Sequence, residues 1–413
     1  MLSEDENEIV LISIYGVDQP GVTSQITGIL GKYNAEILDI GQADIHQSLS
    51  LGILVRFRKS QTNVGGGVLK DILFKGYELG VKVRFVPIST EQYNEWVSKQ
   101  GQDRHIVTIL GKGITAEQIS KITGTIAEQG LNIDSIKRLT GRMSLNSEDT
   151  TLRACIELSI RGTFKDRNEI QAKFMQLSAT LGVDISFQKD DIYRRNRRLI
   201  CFDMDSTLIK TEVIDELADR AGVGAEVRAI TESAMRGEID FQESFKRRIS
   251  LLKGLDESVM QDIAEKLPIM DGADRLMTIL KKCGYKIAIL SGGFTYFGEY
   301  LKKRFGIDYV YANELEIKDG KLTGNYVGDI VDGHRKAELL KMIAQFEHID
   351  LKQVIAVGDG ANDLPMINLA GLGIAFHAKP KVKSIARQSI STIGLDGILY
   401  FLGFRDSHID LKK

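Results

Sequence analysis

The first 190 residues run through one order of hydrophobic patterns twice, and this repetition limits the folds open to the chain more than any other feature. Residues 8–15 have the pattern of a strand, and residues 21–33 carry Val22, Ile26, Ile29 and Leu30 at helical spacing. Strands over 36–45 and 49–58, a helix over 68–78 and a strand over 81–86 complete a β-α-β-β-α-β series. The series recurs as strand 105–110, helix 115–129, strands 131–139 and 152–160, helix 168–181 and strand 183–187. Two ferredoxin-like βαββαβ units, at residues 1–95 and 100–190, are the economical reading.

Residues 190–198 hold Arg194, Arg195, Arg197 and Arg198 and read as a solvated connection. Tyr193 is the one aromatic among them, too few to interleave with the charges and stack on bases. Beyond Arg198 the pattern changes to short, nearly continuous apolar runs at 199–202, 286–290 and 354–357. Such runs belong to strands covered on both faces, so residues 198–413 are expected to form an α/β domain with a Rossmann-like parallel sheet. Lys and Arg total 54 against 56 Asp and Glu, a net charge of -2, which gives no global field for nucleic acid or anionic lipid. No apolar run reaches the roughly 18 residues that a membrane span needs. The start, M-L-S-E-D-E-N-E, is acidic where secretory and mitochondrial signals are basic. Three separated cysteines, Cys155, Cys201 and Cys283, sit in apolar runs as core thiols would. A cytoplasmic protein without nucleic-acid or membrane partners is the expectation.

In parallel sheets, chemistry gathers at the carboxyl ends of strands. The first run leads straight into Asp203-Met204-Asp205-Ser206-Thr207. Two carboxylates so close repel, so one must be neutralised by a cation or keep its proton. Both outcomes suit phosphoryl transfer, with an ionised Asp203 as nucleophile and a protonated Asp205 as acid and then base. Taken alone, D-x-D is also an ordinary turn or helix cap. The second run ends in Ser291-Gly292-Gly293, where a hydroxyl and two open amides could hold phosphate oxygens, although a plain βα turn reads the same. The third ends in Gly358-Asp359-Gly360-Ala361-Asn362-Asp363. Mg²⁺ takes one or two carboxylates beside phosphate and water, which Asp203 with Asp359 would provide. Lys336, at the expected start of a helix, is the candidate cation for the transferring group; by itself it reads as a surface lysine.

At these residues the chain resembles the haloacid dehalogenase superfamily of phosphohydrolases, whose four motifs appear in order over about residues 198–395. F-D-M-D-S-T, Glu212, the run Met235-Arg236-Gly237-Glu238-Ile239-Asp240-Phe241 and Arg248 are similar to the phosphoserine phosphatases within it. The resemblance implies hydrolysis of O-phospho-L-serine to L-serine and phosphate, the last step of L-serine biosynthesis, with Mg²⁺ as cofactor. It implies that Asp203 is the phosphorylated nucleophile and Asp205 the acid/base, with the Asp205 backbone carbonyl, Asp203 and Asp359 around the metal. Ser291, Gly292 and Lys336 would hold phosphoryl oxygens, Asn362 would lie near them, and Asp363 would anchor Lys336 from behind. A helical cap at about 213–268 would select substrate, Glu212 taking the ammonium and Arg248 the carboxylate, while Met235 and Phe241 exclude water. Gly237 and Gly254 are candidate hinges.

The two amino-terminal units resemble ACT domains, regulatory modules that bind amino acids. Gly16-Val17-Asp18-Gln19-Pro20-Gly21 stands where that family's ligand loop lies, so Gly16, Asp18 and Gly21 are candidate effector residues, with L-serine as the effector. The second unit has Gly111-Lys112-Gly113 without the D-x-P-G string. A homodimer through the ACT units is implied. Two other readings remain: a related phosphotransferase or a phosphatase for small esters or phosphoproteins, and an amino-acid-sensing binding protein. Glu212 with Arg248 argues against the first, the intact acids against the second.

Overall fold

The computed structural model describes residues 7–58, 64–142 and 153–409. They form two compact units, 1–102 and 103–413. The first unit contains β1 (Asn7–Val17), α1 (Val22–Lys32), β2 (Glu36–Ile45), β3 (Ser48–Arg58), α2 (Val64–Glu78), β4 (Lys82–Ile88) and α3 (Thr90–Ser98). Its antiparallel sheet has the order β2-β3-β1-β4. In β3, Leu49, Leu51, Ile53, Val55 and Phe57 alternate onto the buried face and pack on Val22, Ile26 and Leu30 of α1 and Val68 and Ile72 of α2. The period-two pattern thus decides which face takes the helices. α3 buries no residue, which is why no amphipathic stripe announces it.

The second unit opens with the repeat: β5 (Arg104–Gly111), α4 (Ala116–Glu128), β6 (Asn132–Arg138), β7 (Ala154–Arg161), α5 (Arg167–Leu181) and β8 (Asp184–Lys189), in the order β6-β7-β5-β8. Leu152, in the strand expected over 152–160, lies outside the described residues. Then follow β9 (Leu199–Phe202), the cap helices α6 (Val213–Ala221), α7 (Gly224–Met235), α8 (Phe241–Ser250) and α9 (Ser258–Glu265), and α10 (Ala273–Lys282). Next come β10 (Lys286–Phe294), α11 (Thr295–Phe305), the hairpin β11 (Tyr309–Lys318) and β12 (Lys321–Val327), and α12 (Gly333–Phe346). The chain continues through β13 (Val354–Gly358), α13 (Leu364–Leu369), β14 (Leu372–Phe376), α14 (Pro380–Lys383), β15 (Gln388–Ile390) and α15 (Gly397–Phe401). The seven-stranded sheet runs β12-β11-β10-β9-β13-β14-β15, parallel except for the hairpin. β9 lies at its centre, and the chain goes to one side for β10 and to the other for β13. The strand ends flanking this reversal form the crevice where doubly wound sheets place ligands.

The repeat and the sheet are joined by a polar seam. Phe187 donates its N–H to Gln388 and accepts from it, at 3.0 and 2.8 Å, and Asp184 accepts from the amides of Ser391 and Thr392 at 2.9 and 3.0 Å. Residues 190–198 depart from expectation. Arg194 is 2% exposed and pairs with Glu157 at 2.6 Å, while buried Arg197 donates to the Lys352 carbonyl. Arg195 and Arg198 stay exposed as expected, while Arg194 and Arg197 pack inside because partners distant in sequence, a carboxylate and a carbonyl, receive their guanidinium groups. Cys155 and Cys201 are buried as expected, but Cys283, at the end of α10, is exposed. Among the described residues, no helix is long and apolar enough to cross a membrane.

Candidate active site

The parallel pairing of β9 with β10 and β13 brings the three expected strand ends together. Asp203 follows the last residue of β9, its amide donating to Val357 O at 2.9 Å, and its Oδ1 accepts from Met204 N at 2.8 Å. Lys336 Nζ lies 2.9 Å from Asp203 Oδ1 and 2.7 Å from Asp363 Oδ1, with no exposed surface. An ammonium is costly to bury unless paired at this quality. Burial acts to lower the Lys336 pKa, but Asp203 and Asp363 outweigh it and hold the group charged. α12 delivers this lysine because Asp332 caps its start, accepting from Arg335 N at 2.9 Å. Gly333 lets that start press on the turn after β13: a Cβ there would lie 2.6 Å from Asn362 O. The Asn362 side chain folds back toward Gly360.

Asp363 spends both oxygens inside the protein, on Lys336 and, at 2.9 Å, on Gly360 N–H. Gly358 leaves room for it, since a Cβ there would stand 2.4 Å from its carboxyl. Asp203, Asp359 and Asp363 each offer a carboxylate oxygen within 4.8 Å of the others. Burial first, then Asp203 and Asp363, push Asp359 up to about 8. One lysine does not balance this many acids, and the all-oxygen donor set suits a hard divalent cation. With Asp363 committed, Asp203 and Asp359 are the side chains free to hold it.

That balance sets a pH dependence. The folded pKa of Asp359 lies above the ordinary value of 3.8, so without a cation the folded state holds the extra proton and loses stability as pH rises from about 4 to about 8. A bound divalent ion offsets the charge. The difference in Tm between Mg²⁺-loaded and chelator-treated protein is therefore expected to widen between pH 5 and pH 8; an equal difference at both, by scanning calorimetry, would count against metal binding here.

Burial, then Glu212 and Asp203, hold the Asp205 carboxyl well above the usual carboxylate range, which favours its protonated form. Its Oδ1 accepts from Val213 N at 3.3 Å, tying it to the start of α6. Ser291 is fully buried, its Oγ accepting from Gly293 N at 3.0 Å. A Cβ on Gly293 would lie 2.5 Å from Asp205 Oδ2, so only glycine fits between acid and hydroxyl. Phe241 lies over Gly292, where a Cβ would come 2.9 Å from its ring. Glu212 immediately precedes α6 and accepts from Ser206 Oγ at 2.7 Å. Burial lowers the Arg248 pKa against the opposing pull of Glu212 and Asp215.

Two expectations change. Met235 is 61% exposed, its sulfur 3.4 Å from Lys379 Nζ, so it faces solvent and does not roof the acids. Gly254 is no free hinge, because its amide donates to Leu322 O at 2.8 Å and stitches the cap to the β11–β12 hairpin. Sequence reasoning also missed two positions. Thr207, fully buried, donates to Asp359 Oδ1 at 3.3 Å, a role readable only from its place in D-x-D-x-T. Asn313 donates to Gly292 O and accepts from Val331 N, both at 2.8 Å, and fixes the Ser291 loop with no signal in its sequence surroundings.

In the amino-terminal unit, Asp18 and Gly21 line a cavity of about 470 Å³ that also includes Gln19, Ser24 and Gln42. Gly21 has φ 97° and caps α1. Gly16 is outside this lining and packs against Val81. A cavity of the second unit, between α4 and β6, lies away from its 111–113 loop.

An aspartate at the end of the central strand, a second acid beside it, a buried lysine and an acid pair at the reversal of a parallel sheet are the arrangement of a hydrolase of the haloacid dehalogenase class. The haloacid dehalogenase-like hydrolase family matches residues 200–368, and ACT domain families match 8–86 and 103–188. The phosphoserine phosphatase SerB2 of Mycobacterium tuberculosis is 37% identical over 97% of this chain and 94% of its own length. The phosphoserine phosphatase of Streptomyces coelicolor is 36% identical over 97% and 93%. The crystal structure of a probable phosphoserine phosphatase from Vibrio cholerae, in unliganded form, is 33% identical and superposes with a TM-score of 0.57 over 74% of this chain and 87% of that one. The chain belongs to the phosphoserine phosphatases that carry two ACT domains before a haloacid dehalogenase-like domain.

Proposed function

We propose that the protein hydrolyses O-phospho-L-serine to L-serine and phosphate through an aspartyl phosphate on Asp203, with Mg²⁺ as cofactor. The observation that carries this is the placement of the Asp203 carboxylate 2.9 Å from the buried Lys336, beside an Asp205 whose carboxyl burial and its acidic neighbours push well up. An Asp203 oxygen bonds to phosphorus as the bond to the serine oxygen breaks, and Asp205 gives its proton to that leaving oxygen. Asp205 then takes a proton from the water that attacks phosphorus, which frees phosphate and restores Asp203. Lys336, Ser291 and the Gly292 amide hold the phosphoryl oxygens, with Asn362 beside them. Asp203, Asp359 and the Asp205 carbonyl would hold Mg²⁺, which supplies positive charge against those oxygens when bound. Glu212 takes the substrate ammonium and Arg248 its carboxylate in a forked pair, and Phe241 sheds water from the phosphate loop.

We also propose that L-serine binds at Asp18 and Gly21 as an effector and that the chain dimerises through its ACT units. A phosphate-release panel tests the substrate and the effector. With Mg²⁺, O-phospho-L-serine is expected to outrun phosphoethanolamine, which lacks the carboxylate, and phosphoserine peptides, whose amine is blocked, by at least about tenfold in kcat/KM. Peptide turnover equal to that of the free amino acid would overturn the substrate assignment, and an unchanged rate with L-serine would remove the effector.

A further inference from the structure

The chain leaves β9 for the cap and returns through a short backbone pairing. Met270 N donates to Leu208 O at 2.9 Å and Lys210 N to Pro268 O at 2.8 Å, around the bridge between Ile209 and Ile269. Glu212 stands just beyond the outgoing half, and Val213 N holds Asp205. So brief a pairing takes its position from whatever anchors the returning half.

That anchor is a half-buried cluster of charges around the buried Asp396. After Met270 the chain turns at Asp271-Gly272 against residues 394–396, with Leu395 N donating to Asp271 O at 2.8 Å. Gly272 has φ 79°, and a Cβ on it would lie 2.4 Å from Asp396 Oδ1, so turn and carboxylate are in direct contact. Asp396, 4% exposed, accepts from Arg275 at 2.8 Å, in the first turn of α10, and from Arg153, which immediately precedes β7 of the second βαββαβ unit. Arg275 also donates to Asp406 at 2.7 Å, and Asp406 accepts from Gly141 N of the same unit at 2.8 Å. The second repeat therefore reaches the returning chain through two carboxylates, Arg153 through Asp396 and Gly141 through Asp406.

We infer that Asp396, braced by Arg153 and Arg275, is a positioning residue that sets the base of the cap and, through the 208–210 and 268–270 pairing, the placement of Glu212. The second repeat is then a working part of the phosphatase. Neutralising Arg153 leaves a buried carboxylate with one cation in place of two, and the turn it supports loosens. The inference rests on the reading of Glu212 as the ammonium partner, and the test separates the two.

In the full-length Arg153→Gln variant, KM for O-phospho-L-serine is expected to rise about threefold to tenfold with kcat within about twofold. Turnover of p-nitrophenyl phosphate, which has no ammonium to place, stays unchanged, and Arg153→Lys restores most of the loss. Hydrogen exchange at the Lys210 and Met270 amides is expected to quicken in Arg153→Gln, a readout independent of substrate. Unchanged exchange at both amides, or equal losses on both esters, would overturn the inference. A wild-type enzyme inactive on O-phospho-L-serine would instead strike the substrate reading, and exchange would still decide the brace.

Discussion

Replacing Asp203 with asparagine is expected to leave a folded protein whose phosphate release falls by at least about 10⁴-fold, since removal of a nucleophile leaves only binding and electrostatic assistance. The amide keeps the size of the carboxyl and still presents an oxygen to Lys336, which sits 2.9 Å from Oδ1 in the parent protein. What it removes is the negative charge that makes the carboxylate oxygen nucleophilic toward phosphorus. Stability should move the other way. Asp203 contributes to the upward shifts of Asp205 and Asp359, so deleting its charge relieves repulsion in the buried acid cluster. The chelator-treated variant is therefore expected to melt at or above the parent Tm while being inactive. Acid-quenched labelling with ³²P-labelled substrate gives the complementary reading: label at 203 in the parent, none in the variant. Turnover within tenfold of the parent would show that the nucleophile lies elsewhere.

The positions legible in the sequence were those adjoining strong punctuation. Asp203, Ser291 and Asp359 each follow or end a run of buried residues whose apolar continuity marks a covered strand, and Lys336 enters with a capped helix start. Both repeats were legible for a similar reason, because period-two and helical spacings survive wherever one face is buried and the other wet. Positions decided by partners distant in sequence were not legible. Arg194 and Arg197 look solvent-seeking in a basic run, and only Glu157 and the Lys352 carbonyl make them interior. β11 mixes partly buried and exposed positions without clean alternation, so the hairpin that pins Gly254 gave little warning. The two repeats have one pattern but different fates. Thr108, Ser186 and Gln188 are polar and yet buried on the second sheet, and Gln188 donates to Phe401 O at 2.9 Å across the seam. Nothing in a polar residue's identity tells which neighbour will cover it.

Removing the Lys336 charge is the second large effect expected, and it differs in kind because activity and stability fall together. In Lys336→Met the phosphoryl group loses its buried cation, and kcat/KM is expected to drop at least about 10³-fold, the scale of a cation acting on a transferring phosphoryl group. Asp203 and Asp363 lose their shared partner in a place with almost no solvent. Leaving buried charge uncompensated in this way costs about 3–5 kcal/mol. Asp363, which burial and then Asp203 push up to about 7, can escape part of that cost by taking up a proton, so the sign of the pH dependence follows. At pH 5 protonation is cheap and the loss of Tm is small; at pH 8 the acids must stay charged or bind a proton against bulk solution, and the loss is larger. Mg²⁺ should recover some of the lost Tm at pH 8 by lying against Asp203 and Asp359, but not the activity, since an ion there does not take the place of the Nζ donor. A variant with parent-like kcat/KM would place the phosphoryl group away from Lys336. A loss of Tm equal at both pH values would mean that methionine fails in this site by shape, and that the buried ion triad is not what the lysine is there to balance.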